Sequence, residues 1–189
     1  MKGFDVLSVI ILYSTGHDAY MASDSQSTNI KSEEIGSPTK KIIKPNNNIL
    51  IGGSGYALIV RDVLNMFLTT PDDFYVMDAF NKITRFIQDR IHGNPPVPTT
   101  ILLAGKDNTG LFNKDLVSYN ITIGKAPIQY TGVTKVVLPP PDEKWNGLER
   151  LERYLETNNV KESMEQLVND YSTDSKYVGG SFQFESIHT

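Results

Sequence analysis

Four places in the chain carry groups whose type and setting could do chemistry. Ser8 lies in an apolar run and Asp24 follows Ala22-Ser23. Lys41 sits in Lys40-Lys41-Ile42-Ile43-Lys44, and Gly55 closes Gly52-Gly53-Ser54-Gly55 ahead of a helical pattern. Each has an ordinary role available to it. A small serine can bond a carbonyl inside a core strand, an aspartate can end a strand or cap a turn, and a lysine can be solvated on an edge strand. The glycine run is the one local pattern that suggests a ligand, because a helix N-terminus binds phosphate. Its spacing is not G-x-G-x-x-G, no P-loop lysine follows and a hairpin precedes it, so a nucleotide cradle is set aside. His17, His92 and His188 fall in a turn, at a helix end and in the tail, without the paired spacing of metal ligands. There is no cysteine, which removes thiolate catalysis, disulfides and cysteine-based zinc. Neither a metal nor a cofactor is expected. Asn120-Ile121-Thr122 has the form of a glycosylation sequon but falls inside a strand pattern.

The elements that must hold these residues follow from periodicity. The 189 residues are 39% hydrophobic and 21% charged, the balance of an ordinary globule, and residues 1–189 read as one domain. A net charge of -4 with scattered basic residues argues against nucleic acid. No apolar run reaches the ~20 residues of a membrane span. Residues 5–13 are apolar at both parities, so this strand is expected to be covered on both faces. Residues 14–18 turn and 19–23 return antiparallel, which excludes a βαβ opening. A polar surface loop is expected over 26–38, then a hairpin of 39–44 and 49–53 folded over Pro45-Asn46-Asn47-Asn48.

From Tyr56 the period becomes helical through Phe67, and a second helix capped by Asp72 or Asp73 runs to Ile91. Phe67, Phe74, Phe80 and Phe86 exceed what one inner face requires, and they suggest a subunit contact. Strands are expected at 99–104, 116–123, 128–130 and 133–138, helices at 145–155 and 161–171, and a last strand over 178–187. Hairpins interrupted by helix pairs predict an α+β domain. With the first strand buried on both sides, the best fit is a four-layer αββα sandwich of two stacked antiparallel sheets flanked by helix pairs.

In that element order the chain resembles the proteasome-type N-terminal nucleophile (Ntn) hydrolases, the proteasome subunits and HslV. The resemblance rests on Val9–Leu12, Met21-Ala22-Ser23-Asp24-Ser25, Thr39-Lys40-Lys41-Ile42-Ile43, Ile51-Gly52-Gly53-Ser54-Gly55 and Tyr177-Val178-Gly179-Gly180-Ser181. It implies the Ntn fold and assigns roles by position. Ser8, sixteen residues before Asp24, falls at the nucleophile. Asp24 falls at the orienting aspartate, Lys41 at the lysine that lowers the nucleophile's proton affinity, and Gly55, fourteen residues on, at the oxyanion glycine. In that family the nucleophile is the first residue and its own α-amine, with a pKa of about 7.7–8.0, is the base.

Here seven residues precede Ser8, and the residue before it is Leu7 where the family has glycine. An amide nitrogen accepts no proton, so the intact chain lacks the base. The family's supporting aspartate and serine fall opposite Ser175 and Val178, and Thr131-Gly132-Val133 matches its other supporting serine poorly. The resemblance therefore implies a subunit of a ring-type or related homo-oligomeric assembly. The alternative is an active serine peptidase or amidase after removal of residues 1–7, with polypeptide as substrate, and a third reading is a monomeric binding module. The expected location is the cytoplasm, with no nucleic-acid or membrane partner.

Overall fold

The computed structural model describes residues 5–6, 8–26, 39–91, 93, 95, 97–109 and 116–189. The expected loop over 26–38 lies outside them from residue 27 on, as do His92, Leu7 and residues 1–4. The elements are β1 (Asp5–Val6), β2 (Ile10–Thr15), β3 (Asp18–Ser23), β4 (Ile42–Asn46), β5 (Ile49–Tyr56), α1 (Ala57–Asn65) and α2 (Val76–Arg90). There follow β6 (Thr100–Lys106), β7 (Leu116–Thr122), β8 (Ile128–Thr131), β9 (Val133–Leu138), α3 (Gly147–Leu155), α4 (Val160–Asp174) and β10 (Gln183–His188).

They form a mixed α+β protein with two antiparallel sheets and four helices. One sheet runs β1-β5-β6-β7-β8 with β4 also on β5, and the other runs β10-β3-β2-β9. Three apolar clusters lie between the elements, and they explain the double-parity strands. Ile10 and Leu12 meet Leu50, Leu102 and Ala104 of the facing sheet. Their neighbours Val9 and Ile11 meet Leu151, Met164 and Leu167 of α3 and α4. Ile49, Ile51, Ile101 and Leu103 point the other way, to Val60, Val63, Ala79 and Ile83 of α1 and α2. This arrangement is compatible with a layered sandwich. The sheets approach closely at Gly52, where an added Cβ would stand 2.5 Å from Met21 Sδ. Phe67 is fully buried. Phe74, Phe80 and Phe86 are partly buried and pack against the same cluster.

Several boundaries differ from expectation. The segment 5–13 is not one strand: β1 pairs with β5 in one sheet, and β2 pairs with β3 and β9 in the other. An apolar run carries no mark of where it changes sheets. Pro45 and Asn46 belong to β4, so the turn is only Asn47-Asn48. The first turn of α2 is closed by Asp78, whose Oδ2 accepts the Tyr75 N–H at 3.0 Å, and not by Asp72 or Asp73. Asn146 caps α3, accepting from the amides of Leu148 and Glu149. Residues 178–182 bend before β10 begins. No helix of the described residues is long and apolar enough to cross a membrane.

Candidate functional site

Ser8 stands where the chain passes from one sheet to the other, between β1 and β2. It is 1% exposed. Its Oγ has no hydrogen-bond partner, while its carbonyl accepts from Ser54 Oγ at 3.3 Å. That bond ties Ser8 to the end of β5, one residue before Gly55. The outer edge of β5 is shared by two segments. β4 pairs along Ile49–Gly52, and the Gly53 amide donates to the Lys41 carbonyl at 3.0 Å. Beyond that point β1 takes over, with Val6 opposite Gly55 and Asp5 opposite Tyr56.

Gly55 has φ +122, and an added Cβ would lie 2.4 Å from the Pro98 carbonyl oxygen and 2.5 Å from Thr99 Cα. Both the backbone conformation and the space require glycine. The next amide, of Tyr56, donates to Thr99 Oγ1 at 2.9 Å before α1 begins. This bond uses the Tyr56 amide, one residue beyond the Gly55 amide to which the resemblance assigns an oxyanion.

Asp24 and Lys41 are brought into direct contact. Asp24 follows the end of β3 and Lys41 precedes β4, so two sheets contribute one ion pair. Lys41 Nζ donates to Asp24 Oδ2 at 2.9 Å and also to the Gln26 carbonyl. The same Oδ2 accepts from the amides of Gln26 at 3.1 Å and Gly179 at 3.3 Å. Both side chains are buried, so the lysine is not the solvated edge residue that its Lys-Lys-Ile-Ile-Lys setting would allow. Burial pushes the Asp24 carboxyl up from its ordinary range, against the lowering pull of Lys41 and the two amides. Burial pushes the Lys41 amine down, against the pull of Asp24. Both shifts express the cost of holding charge away from water. Asp24 Oδ1 has no partner.

Of the four residues singled out in the sequence, the structure therefore joins Asp24 to Lys41 and places Ser8 beside the Ser54-Gly55 end of β5. No hydrogen bond reaches the Ser8 hydroxyl from Asp24 or Lys41. The lysine cation is spent on Asp24 and Gln26, and Ser8 has no base in bonding contact. Residues not singled out complete the surroundings. Gln183 accepts the Lys41 amide at 3.0 Å and donates to the Thr39 carbonyl at 2.7 Å. Ser25 Oγ accepts the Ser181 amide at 2.7 Å. Gln183 carries no sequence signal, whereas the Gly179-Gly180 pair is part of the resemblance. Ser175 is bound to Asp142 at 2.5 Å. Thr131-Gly132-Val133 lies at the opposite end of β2 from Ser8, with Val133 paired to Thr15. His17 is in the β2–β3 turn, and His188 Nδ1 lies 2.7 Å from Asp18 Oδ1. Among the described residues no group of three or more His, Cys, Asp or Glu side chains is placed to hold a metal.

No family model matches this chain, and no curated protein matches it.

Proposed function

We propose that this chain is a proteasome-like Ntn-fold subunit of a ring-type or related homo-oligomeric assembly, and that the intact chain does not hydrolyse amide bonds. The fold part is supported by two facing antiparallel sheets with a helix pair against each, and by a buried ion pair between Asp24, after β3 of one sheet, and Lys41, before β4 of the other. One observation carries the functional part. Ser8 is buried with its nitrogen in a peptide bond, and its hydroxyl has no acceptor. Without a base a serine hydroxyl is a poor nucleophile. A cytoplasmic location, and the absence of membrane or nucleic-acid partners, belong to the same reading.

Native and denaturing mass spectrometry of the purified protein test it together. The expected result is a subunit whose mass includes residues 1–7, in a particle of several copies. A monomer at micromolar concentration would remove the assembly.

The second reading, an N-terminal serine peptidase or amidase, is favoured by Ser8 Oγ and Asp24 Oδ1, both buried and both without a partner. Addition of water across the Leu7–Ser8 bond would leave a carboxylate on Leu7 and a free amine on Ser8, which supplies the missing base. A subunit mass beginning at Ser8, together with release of product from a polypeptide substrate, would establish this reading in place of the first.

A further inference from the structure

A second set of chemically matched side chains stands at the opposite end of the β10-β3-β2-β9 sheet from Ser8. Ser186 and His188 are two apart on β10, so they share a face. Asp18 on β3 is the register partner of His188. His188 Nδ1 lies 2.7 Å from Asp18 Oδ1, and Nε2 of the same ring lies 3.3 Å from Ser186 Oγ. A carboxylate oxygen only accepts, so Nδ1 carries the proton and donates to Asp18. Nε2 is then left to accept the Ser186 O–H. Serine, histidine and aspartate are thus joined in the order that makes a hydroxyl nucleophilic.

The sheet explains the arrangement. The Thr189 N–H donates to the His17 carbonyl at 3.0 Å. Antiparallel pairs alternate, so His188–Asp18 and Ser186–Tyr20 are the pairs without mutual hydrogen bonds, in which side chains stand closest. In such pairs the N–H groups point away from the partner strand. β10 ends the sheet, with no strand on its other side among the described residues. The Ser186 N–H therefore faces that open edge, where it can donate to an oxygen gaining charge on a group attached to Ser186 Oγ. Thr15 Oγ1 accepts the Asp18 N–H at 2.9 Å and holds the turn that presents the aspartate.

An aromatic platform adjoins these residues. Tyr20 meets His188 edge-on at 5.9 Å between ring centres, and Phe184 and Tyr13 each lie 6.1 Å from Tyr20. All three platform rings are half-buried. The His188 side chain is 59% exposed and that of Asp18 36%, so charge developing there is stabilised weakly compared with a dry site. That restricts the chemistry to substrates whose leaving group carries charge well by itself.

We propose that Ser186, His188 and Asp18 hydrolyse aryl esters of short uncharged acids, with the aryl ring on Tyr20 and Phe184. Ser186 Oγ bonds to the acyl carbon as its proton passes to His188 Nε2. The carbon–oxygen bond to the aryl group breaks, and the phenolate leaves with that proton. Water then adds to the acyl group on Ser186 and gives a proton to His188, which returns it to Ser186 Oγ as the acid departs. Asp18 is a positioning residue: it fixes the imidazole tautomer and does not touch the ester. An amide, whose leaving group is far more basic, is not a substrate. The activity uses neither Ser8 nor assembly, so it stands apart from the proposed function.

The test uses the full chain with para-nitrophenyl acetate, and separately with diethyl para-nitrophenyl phosphate followed by peptide mass spectrometry. Release of many equivalents of para-nitrophenolate per chain is expected, with a single diethylphosphoryl group on Ser186. His188→Gln should lower kcat/KM about 100-fold, the low end for a positioned base, and Ser186→Ala at least as far. Asp18→Asn should lower kcat and leave KM unchanged. Release that stops near one equivalent, a label on another residue, or any of these variants matching the unsubstituted rate would overturn the proposal. Where a variant does not fold, the position of the label on the unsubstituted protein decides alone. A label on Ser8 would speak for the second reading above and against this one. No amide cleavage or particle mass is read, so a negative result leaves the proposed function where it was.

Discussion

Two polar constellations in this molecule, one buried and one largely at the surface, differ in how completely they close. One is Asp24 with Lys41, between the sheets. The other lies under α3 and α4. There Tyr171 donates to Glu143 Oε1 at 2.5 Å, which also accepts the Gly147 amide at 2.9 Å. Beside it Asp170 accepts from Tyr154 and from Arg150 at 3.0 Å. The Arg150 guanidinium sits 3.7 Å from the centre of the Trp145 ring, which stacks on Tyr171 at 4.3 Å. Trp145 Nε1 donates to Asp174 at 2.8 Å. In this second network the phenols, the indole and the guanidinium all have partners, and its edge reaches solvent. The first is drier and leaves Asp24 Oδ1 over, and Ser8 Oγ is likewise buried without a partner. Closed networks fix structure, whereas unsatisfied buried atoms ask for an explanation beyond stability. The contrast marks the Asp24 side as the place to look for ligands.

The largest expected effect comes from breaking the dry pair. Lys41→Met leaves a carboxylate buried without its cation, and should cost about 3–5 kcal/mol in urea unfolding. Adding Asp24→Asn should recover most of that loss, because the raised Asp24 and lowered Lys41 pKa values show that burial of charge is already penalised. The signs agree. A raised carboxyl loses stability as pH rises through its folded value, and a lowered amine loses it as pH falls through its own, so the penalty is greatest between them. A double variant as unstable as the single one would show that the pair stabilises outright. Next in size is Gly147→Ala, whose Cβ would lie 2.0 Å from Tyr171 Oη. Displacing a buried ring should cost about 1–3 kcal/mol, and the loss should shrink in a Tyr171→Phe background.

The fold was largely legible because burial writes itself into parity. Val9 through Leu12 are apolar at every position, and the structure spends alternate residues on alternate sides of the sheet. What parity cannot record is a change of sheet within one apolar run, and so β1 and β2 were expected as one strand. Cap residues were misplaced for a related reason. Asp72 and Asp73 are good caps in isolation, but the structure starts α2 at Val76, which is buried in the core. The site was partly legible: the resemblance singled out Asp24 and Lys41, which the structure joins in one ion pair. Spacing could not show that Lys41 would be spent on Asp24 and Gln26, since carbonyl partners leave no residue type behind. Gln183 was invisible, being an ordinary polar residue on a strand.

Tyr171→Phe removes one bond from the closed network and should cost about 1–2 kcal/mol near neutrality. Burial, and then the bond to Glu143, pushes the Tyr171 phenol above its ordinary value. A raised phenol contributes stability in full below pH ~10, where the unfolded group titrates, and loses it as pH rises through the folded value. The wild type should therefore lose more stability than Tyr171→Phe when urea unfolding is repeated at increasingly alkaline pH. Parallel curves would mean that the hydroxyl is not buried as described.

The smallest effect has the opposite sign and separates the two constellations most sharply. Ser8→Ala deletes a buried hydroxyl that has no partner, so nothing is broken and a desolvation cost of up to about 1 kcal/mol is relieved. Unfolding should be unchanged or shifted to slightly higher urea, whereas removing a paired hydroxyl such as that of Tyr171 moves it lower. A core serine bonded to a carbonyl, the ordinary role open to Ser8 from its sequence, would show a loss of about 1 kcal/mol on the same substitution. That loss would make Ser8 a structural residue like the phenols under α4, and the asymmetry between the two networks would disappear. A neutral or stabilising Ser8→Ala would mean that folding gains nothing from this hydroxyl, which is the behaviour of a group kept for a ligand or for chemistry.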